Sequence, residues 1–310
     1  MSTETFIHKN FKPEALAMIG TIVDILDSYE QQGYDLSLRQ LYYQLVSKNL
    51  VVNDERSYKN IGNLVSDARL AGHIDWDMIK DRGRETIRNP HWGDPADFLE
   101  SVAEQYRFDL WHNQPCYVEV MVEKQALEGV LEPVCRRHDV PFTANKGYSS
   151  SSALYETSKR YINAFEEGKE LHVIYLGDHD PSGIDMSRDV EERLDLFVKT
   201  STNREDEIGP NEDPAVIMHR VALNMDQIKK LRPPENPAKL TDSRADGYIE
   251  RFGRKSWELD AIEPAQLARL VTDAIYGVMD YDKMQVQIDK MDTGRADILK
   301  FAKEYRKKKK

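Results

Sequence analysis

Three carboxylates and a tyrosine are the residues of this chain whose types and spacing suggest chemistry. Asp178 and Asp180 stand one residue apart at the end of a short apolar run, Leu171–Leu176, and are followed by Pro181-Ser-Gly183. Glu123 and Lys124 follow a second apolar run, Cys116–Val122. Mg²⁺ prefers oxygen ligands, keeps several waters, and needs only one or two carboxylates plus substrate phosphates. Glu123, Asp178 and Asp180 supply that chemistry, and such an ion neutralises charge on a phosphodiester and orients its leaving oxygen. Each pattern alone also fits a solvated loop. Found at the ends of two matched strands, they point the same way.

Tyr43 is the candidate nucleophile. Ser37-Leu-Arg-Gln40 forms a capping-box pattern that opens a helix running to about residue 49. Leu38, Leu41, Tyr42, Leu45 and Val46 make its apolar stripe, which places Tyr42 in the core. Tyr43 lies about 100° further round the helix and shares a non-core face with Arg39, four residues earlier. The pair reads either as ordinary amphipathic surface or as a nucleophile beside a phosphate clamp.

The elements that must position these groups fall into two regions. Residues 13–32 and 57–70 read as helices that stop at Gly33 and Gly72. With the Ser37 helix and the extension from Ile74 to Arg84, they suggest a helix-turn-helix or winged-helix module. Its basic residues, Lys59, Arg69, Arg82, Arg84 and Arg88, are candidates for DNA phosphate contact or for a solvated surface. A linker helix is expected over residues 96–114. From residue 115 strands and helices alternate, which predicts a parallel α/β sheet. Ligands collect beyond the carboxyl ends of such strands, where Glu123 and Asp178 fall. Right-handed crossovers are expected to bring these ends onto one edge of the sheet.

These motifs together resemble a known family. Val122-Glu-Lys-Gln-Ala126, Lys146-Gly-Tyr148 and Asp178-His-Asp-Pro-Ser-Gly183 resemble the Toprim domain of topoisomerases, primases and related nucleases. With Arg39-Gln-Leu-Tyr-Tyr43 ahead of them, they look more narrowly like the topoisomerase VI A subunit and its relative, the meiotic double-strand-break transesterase. The resemblance covers roughly residues 35–200. It implies an N-terminal helical and winged-helix DNA-binding domain (1–95), the linker helix (96–114), and a Rossmann-like Toprim domain with a helical C-terminal extension (115–310). It implies Tyr43 as nucleophile, forming a covalent 5′-phosphotyrosyl bond, with Arg39 on the phosphate and Mg²⁺ or Mn²⁺ on Glu123, Asp178 and Asp180. Lys124 and Lys146 then join the DNA contacts. The family also implies double-stranded DNA as substrate, and a homodimer in which the tyrosine of one copy meets the metal site of the other. The sequence shows no Walker-type loop or GxGxxG, so an ATPase partner acting in trans is a further expectation. The rival readings are a Toprim nuclease that uses water, and a non-catalytic DNA-binding protein that keeps the fold.

Composition bounds these readings. The 310 residues are 40% hydrophobic and 31% charged, with a net charge of −11. That balance argues against nonspecific nucleic-acid coating and leaves local basic surfaces open. No apolar run reaches the roughly 20 residues of a membrane span. No basic segment followed by an apolar stretch opens the chain, so a secretory leader is not expected. Two cysteines make no disulfide framework, and neither they nor the histidines have zinc-type spacing. The expected location is cytoplasmic and nucleoid-associated.

Overall fold

The apolar run Cys116–Val122 is β1, buried along almost its whole length, as a strand covered on both faces must be. In this computed structural model, which describes residues 4–33, 36–79, 89–204, 207, 212–239 and 241–308, three more strands join it. They are β2 (Phe142–Ala144), β3 (Glu170–Leu176) and β4 (Val216–Ala222). All pairings are parallel, in the order β2-β1-β3-β4. α5 (Glu128–Arg137) follows β1, α6 (Ser151–Glu166) follows β2, and α7 (Pro181–Ser201) follows β3. One face of the sheet packs on α5 and α10 (Pro264–Val278), the other on α6 and α7. The chain is therefore a mixed α/β protein with a four-stranded parallel sheet.

That strand order reverses direction between β1 and β3. The chain leaves β1 toward β2 and returns on the other side of β1 to form β3. Such a switch point opens a crevice at the carboxyl ends of its two strands. Glu123 and Asp178 follow directly from them: Val122 pairs with Leu176, and the Glu123 amide donates to the Leu176 carbonyl at 2.9 Å. They thus meet at the centre of the sheet rather than at an edge, because β3 pairs with β1 and not with β2.

The N-terminal region contains α1 (Pro13–Glu30), α2 (Leu38–Ser47) and α3 (Glu55–Leu70) around their own apolar cluster. Ser37 and Gln40 close the capping box as expected. The expected wing is only partly covered: the described residues after α3 form a 3₁₀ turn, Trp76–Met78, and one parallel bridge, Leu36 to Ile79. Arg82, Arg84 and Arg88 lie outside the described residues. The linker helix is shorter than expected. α4 (Pro95–Gln105) ends where Tyr106 turns to extended backbone and packs against the main core. α4 then lies along α11 (Tyr281–Lys308), tied by Arg306 to Asp97 at 2.7 Å and to Glu100 at 3.0 Å.

Between β4 and α10 the chain forms α8 (Met225–Leu231), β5 (Glu235–Pro237), α9 (Ala245–Phe252) and β6 (Lys255–Trp257). β5 and β6 pair antiparallel as a small second sheet. Among the described residues, no helix is long and apolar enough to cross a membrane.

Candidate metal centre

Gly177 lets the chain turn sharply out of β3. A Cβ there would stand 2.9 Å from both Glu123 Oε2 and the Tyr175 ring. Asp178 follows, and its amide donates to Glu123 Oε2 at 2.8 Å. Asp180 is the N-cap of α7, its carboxylate accepting from the Gly183 amide at 2.6 Å, with Pro181 in the first turn. Gly183 is required by space: a Cβ would overlap the Asp178 carbonyl oxygen and stand 2.9 Å from Glu123 Oε2.

Beside Glu123 and Asp180, a second pair of carboxylates converges on Asp178. Asp178, Glu258 and Asp260 each offer an oxygen within 4.8 Å of the others. Glu123 accepts the Asp178 amide through Oε2, and Asp180 caps α7 through Oδ1. Glu258 and Asp260 sit on a 3₁₀ turn after β6 that returns to the switch point. The Leu259 amide donates to Asp178 Oδ1 at 2.8 Å and fixes the turn there. A paired exchange of main-chain hydrogen bonds between His179 and Trp257, at 2.9 and 3.0 Å, joins the two acidic segments one residue earlier. Tyr248 reinforces the join. Its hydroxyl lies 2.8 Å from His179 Nδ1 and donates to the carbonyls of His179 and Lys255 at 2.9 and 3.0 Å. Sequence reasoning missed Glu258 and Asp260. Their one signal was an acid-x-acid spacing, which also occurs at Asp75–Asp77, Asp189–Glu191, Glu205–Glu207 and Asp280–Asp282 and so did not single them out.

Lys124 occupies the focus of the cluster. Its ammonium is 2.8 Å from Asp178 and 2.6 Å from Asp260, and it also bonds Glu258. It is thus directed into the carboxylate cluster. Arg39 reaches across from α2 to Glu258 and Asp260, both at 2.9 Å. Arg220, on β4, holds the main chain of the acidic turn through the Gly177, Asp178 and Gly183 carbonyls. Five carboxylates, including Glu123 and Asp180, thus gather with three cations, Lys124, Arg39 and Arg220.

Burial sets the protonation of this centre. It pushes Asp178 well above the usual carboxylate range despite Lys124, and it raises Glu123, with Asp180 adding to the effect. For Lys124 burial opposes the charge, but Asp178, Asp260 and Glu258 outweigh it and raise the pKa. For Glu258 burial favours the neutral acid, yet Lys124 and Arg39 prevail and the carboxylate is held below its ordinary value.

Tyr43 is buried, contrary to the expectation of a free helix face. The turn from the other region covers that face: α2 packs against residues 259–261, and Ala261 joins the N-terminal apolar cluster. Arg39 stands 5.8 Å from the centre of the Tyr43 ring. Burial first, then Glu258, pushes the phenol up to about 12, with Arg39 opposing. Tyr42 is core, as expected, its hydroxyl bonded to the Val52 and Asp54 main chain. A cavity of about 550 Å³ opens beside these groups, and Arg39, Tyr43, Asp180 and Glu258 all line it.

The remaining predicted contacts are dispersed. Lys59 is exposed and paired with Glu55. Arg69 binds the carbonyls of Trp76 and Ile79, closing the turn after α3. Lys146 is exposed, and its main chain bridges to Lys124.

The donor set fits a hard cation. Every converging ligand atom is a carboxylate oxygen, and Asp260 Oδ2 is buried with an ion pair to Arg39 but no hydrogen bond. Asp178, Glu258 and Asp260 would hold such an ion if Lys124 withdrew from their focus. No protein-family model matches the chain, and no curated protein matches it.

Proposed function

We propose that this chain is a Mg²⁺- or Mn²⁺-dependent DNA strand-cleaving transesterase similar to the topoisomerase VI A subunit, with Tyr43 as nucleophile. One observation carries the reading: a tyrosine, an arginine and the acidic groups Asp180 and Glu258 line a single cavity at the switch point of a parallel sheet. In this reading α1–α3 form the winged-helix-like DNA-binding part, and the sheet region is the Toprim domain.

A divalent ion on Asp178, Glu258 and Asp260 would supply charge neutralisation at the phosphodiester. The chain's own groups do the rest. Arg39 holds a non-bridging phosphate oxygen. Tyr43 Oη bonds to phosphorus, the bond from phosphorus to the 3′ oxygen breaks, and that oxygen takes up the proton the phenol has lost. The product is a 5′-phosphotyrosyl bond and a free 3′ hydroxyl. Glu258 and burial keep the phenol protonated, so neutralising Glu258 favours the attacking phenolate. Tyr43 lies beside Glu258 and Asp260 of its own chain, so this reading departs from the expectation that the tyrosine of one copy meets the metal site of the other. A homodimer then presents two such centres to the two strands of a duplex, and an ATPase subunit is the partner expected to drive strand passage.

The test is incubation of the protein with supercoiled plasmid and Mg²⁺ or Mn²⁺. Covalent protein–DNA adducts should survive denaturant and disappear in both Tyr43→Phe and Asp178→Ala. The burial of Tyr43 favours a second reading, a nuclease in which water attacks. In that case cleavage persists in Tyr43→Phe, without adducts, and still fails in Asp178→Ala.

A further inference from the structure

We infer that duplex DNA is held outside the cavity, by Lys239, Arg251 and Arg254 at the tip of the β5–β6 hairpin. The inference rests on the DNA reading above and names the surface that positions its substrate. The first argument is charge. Asp54, Glu55, Asp180 and Glu258 line the cavity, so a polyanion is repelled from its wall. The cations expected to bind phosphate are engaged elsewhere: Lys59 with Glu55, Arg69 with main-chain carbonyls, and Lys124 within the carboxylate cluster. Residues 229–255 differ. They carry eight lysines and arginines against four acids, in a chain whose net charge is −11. Cations that neutralise phosphates and release their counterions supply the sequence-independent part of duplex binding.

The backbone gathers three of these cations at one end of the hairpin. Pro237 pairs with Lys255, and the Ala238 amide donates to the Arg254 carbonyl at 2.9 Å, so Lys239 leaves β5 beside Arg254. α9 ends at Gly253, whose φ of 85° turns the chain directly into β6 and sets Arg251 at the same end. All three side chains are exposed and make no ion pair among the described residues. Lys255, next to them, is already paired with Glu235 at 2.7 Å. Lys239 also lines the cavity with Arg39 and Tyr43, so the tip borders its mouth. The other end of the hairpin is joined to the acidic turn by the His179–Trp257 main-chain pair. The Phe252 ring, under the Arg251 guanidinium, packs 4.8 Å from the His179 ring. Tip and centre are therefore fixed relative to one another. Four steps of extended chain separate Arg254 from Glu258, about 13 Å by the usual strand rise and the axial length of about four base pairs. A duplex seated on the tip is thus anchored a few base pairs from the phosphate offered to Arg39 and Tyr43.

The experiment uses the full chain carrying Tyr43→Phe, so that binding is read without cleavage. Anisotropy of a fluorescein-labelled DNA duplex in Mg²⁺ gives the affinity across a salt titration. Lys239→Ala, Arg251→Ala and Arg254→Ala together should lower the slope of log affinity against log salt by about 2–3, at roughly 0.9 per phosphate contact. Affinity at low salt should fall about tenfold or more. Arg251→Lys with Arg254→Lys keeps the charges and should keep the slope. Lys300→Ala with Lys303→Ala removes exposed cations of α11 and should leave the slope unchanged. A wild-type slope in the triple alanine variant overturns the inference, as does an equal fall in the α11 variant. Lost affinity with an unchanged slope marks a structural effect and overturns it too. So does an acidic polypeptide, polyglutamate, that displaces the labelled duplex as well as unlabelled duplex does, or a failure of the parent chain to bind duplex at low salt. Adduct assays with chains that retain Tyr43 separate the two proposals. Adducts from a chain whose slope ignores the hairpin leave cleavage standing and sink the docking surface; a hairpin-dependent slope without adducts does the reverse.

Discussion

Two acidic turns of the same spacing meet at this centre, and they are held in opposite ways. Asp178-His-Asp180 grows out of a central strand and is fixed by hydrogen bonds: the Asp178 amide donates to Glu123, the Asp180 carboxylate accepts from the Gly183 amide, and Arg220 donates to the Asp178 carbonyl. Glu258-Leu-Asp260 follows a three-residue strand of a two-stranded sheet. Its carboxylates are held by ion pairs, with Lys124 on one side and Arg39 on the other. The first turn is therefore set by the sheet. The second is placed by the Leu259 amide and the His179–Trp257 main-chain pair, and its carboxylates are oriented by charges from both regions, so they register whatever changes that balance.

Removing the shared cation should break this arrangement most severely. Lys124→Met leaves Asp178 buried without its cation and Asp260 with Arg39 alone, and breaking a buried ion pair costs about 3–5 kcal/mol. Chemical denaturation should show that loss without divalent ions. Mg²⁺ should recover more stability in the variant than in the wild type, because ion and ammonium compete for one place. Equal Mg²⁺ effects in the two proteins would place the ion elsewhere.

Gly183→Ala tests the sheet-bound turn alone. The added Cβ meets a backbone oxygen that cannot swing away, and overpacking of this kind costs about 3 kcal/mol. A calorimetric scan should show the lowered melting temperature, and Mn²⁺ binding followed by electron paramagnetic resonance should fall with it.

The join between the turns is the subtler target. Tyr248→Phe removes a hydroxyl bonded to both His179 and the Lys255 carbonyl, worth about 1–2 kcal/mol. Because that hydroxyl ties the second turn to the first, metal affinity should drop while the helical content seen by circular dichroism stays unchanged.

Away from the centre, the effect of acid should be smallest. Burial, then His172, holds the His219 pKa below its ordinary value, so the unfolded chain takes up the proton first. Stability contributed by the neutral His219 is present above about pH 6.5 and is lost as pH falls through that region toward the lower folded value. Urea midpoints at pH 7 and pH 5.5 should differ less in His219→Gln than in the wild type.

Much of the sheet was legible because its strands are uniformly apolar and end in polar turns. β1 and β3 announce themselves in Cys116–Val122 and Leu171–Leu176, and the positions of Glu123 and Asp178 follow. Ser37 and Gln40 likewise mark the start of α2. Glu258 and Asp260 were not legible as site residues, because their role depends on a long-range return of the chain to Asp178. Nothing local in Trp257-Glu-Leu-Asp260 records that Leu259 donates its amide to a residue on another strand. The burial of Tyr43 was hidden for the same reason. Helical periodicity describes the face a helix turns to its own region, and the cover on Tyr43 comes from residues 259–261.

Ala261 gives that cover a thermodynamic meaning. Its methyl group sits in the apolar cluster of α1–α3, immediately after the Asp260 carboxylate that serves the sheet region. The two hydrophobic assemblies consequently share a covalent hinge pin, and neither can melt without pulling on the other. Heating should give one calorimetric transition with equal calorimetric and van't Hoff enthalpies. A fragment ending at residue 95 would lack a piece of its own interior.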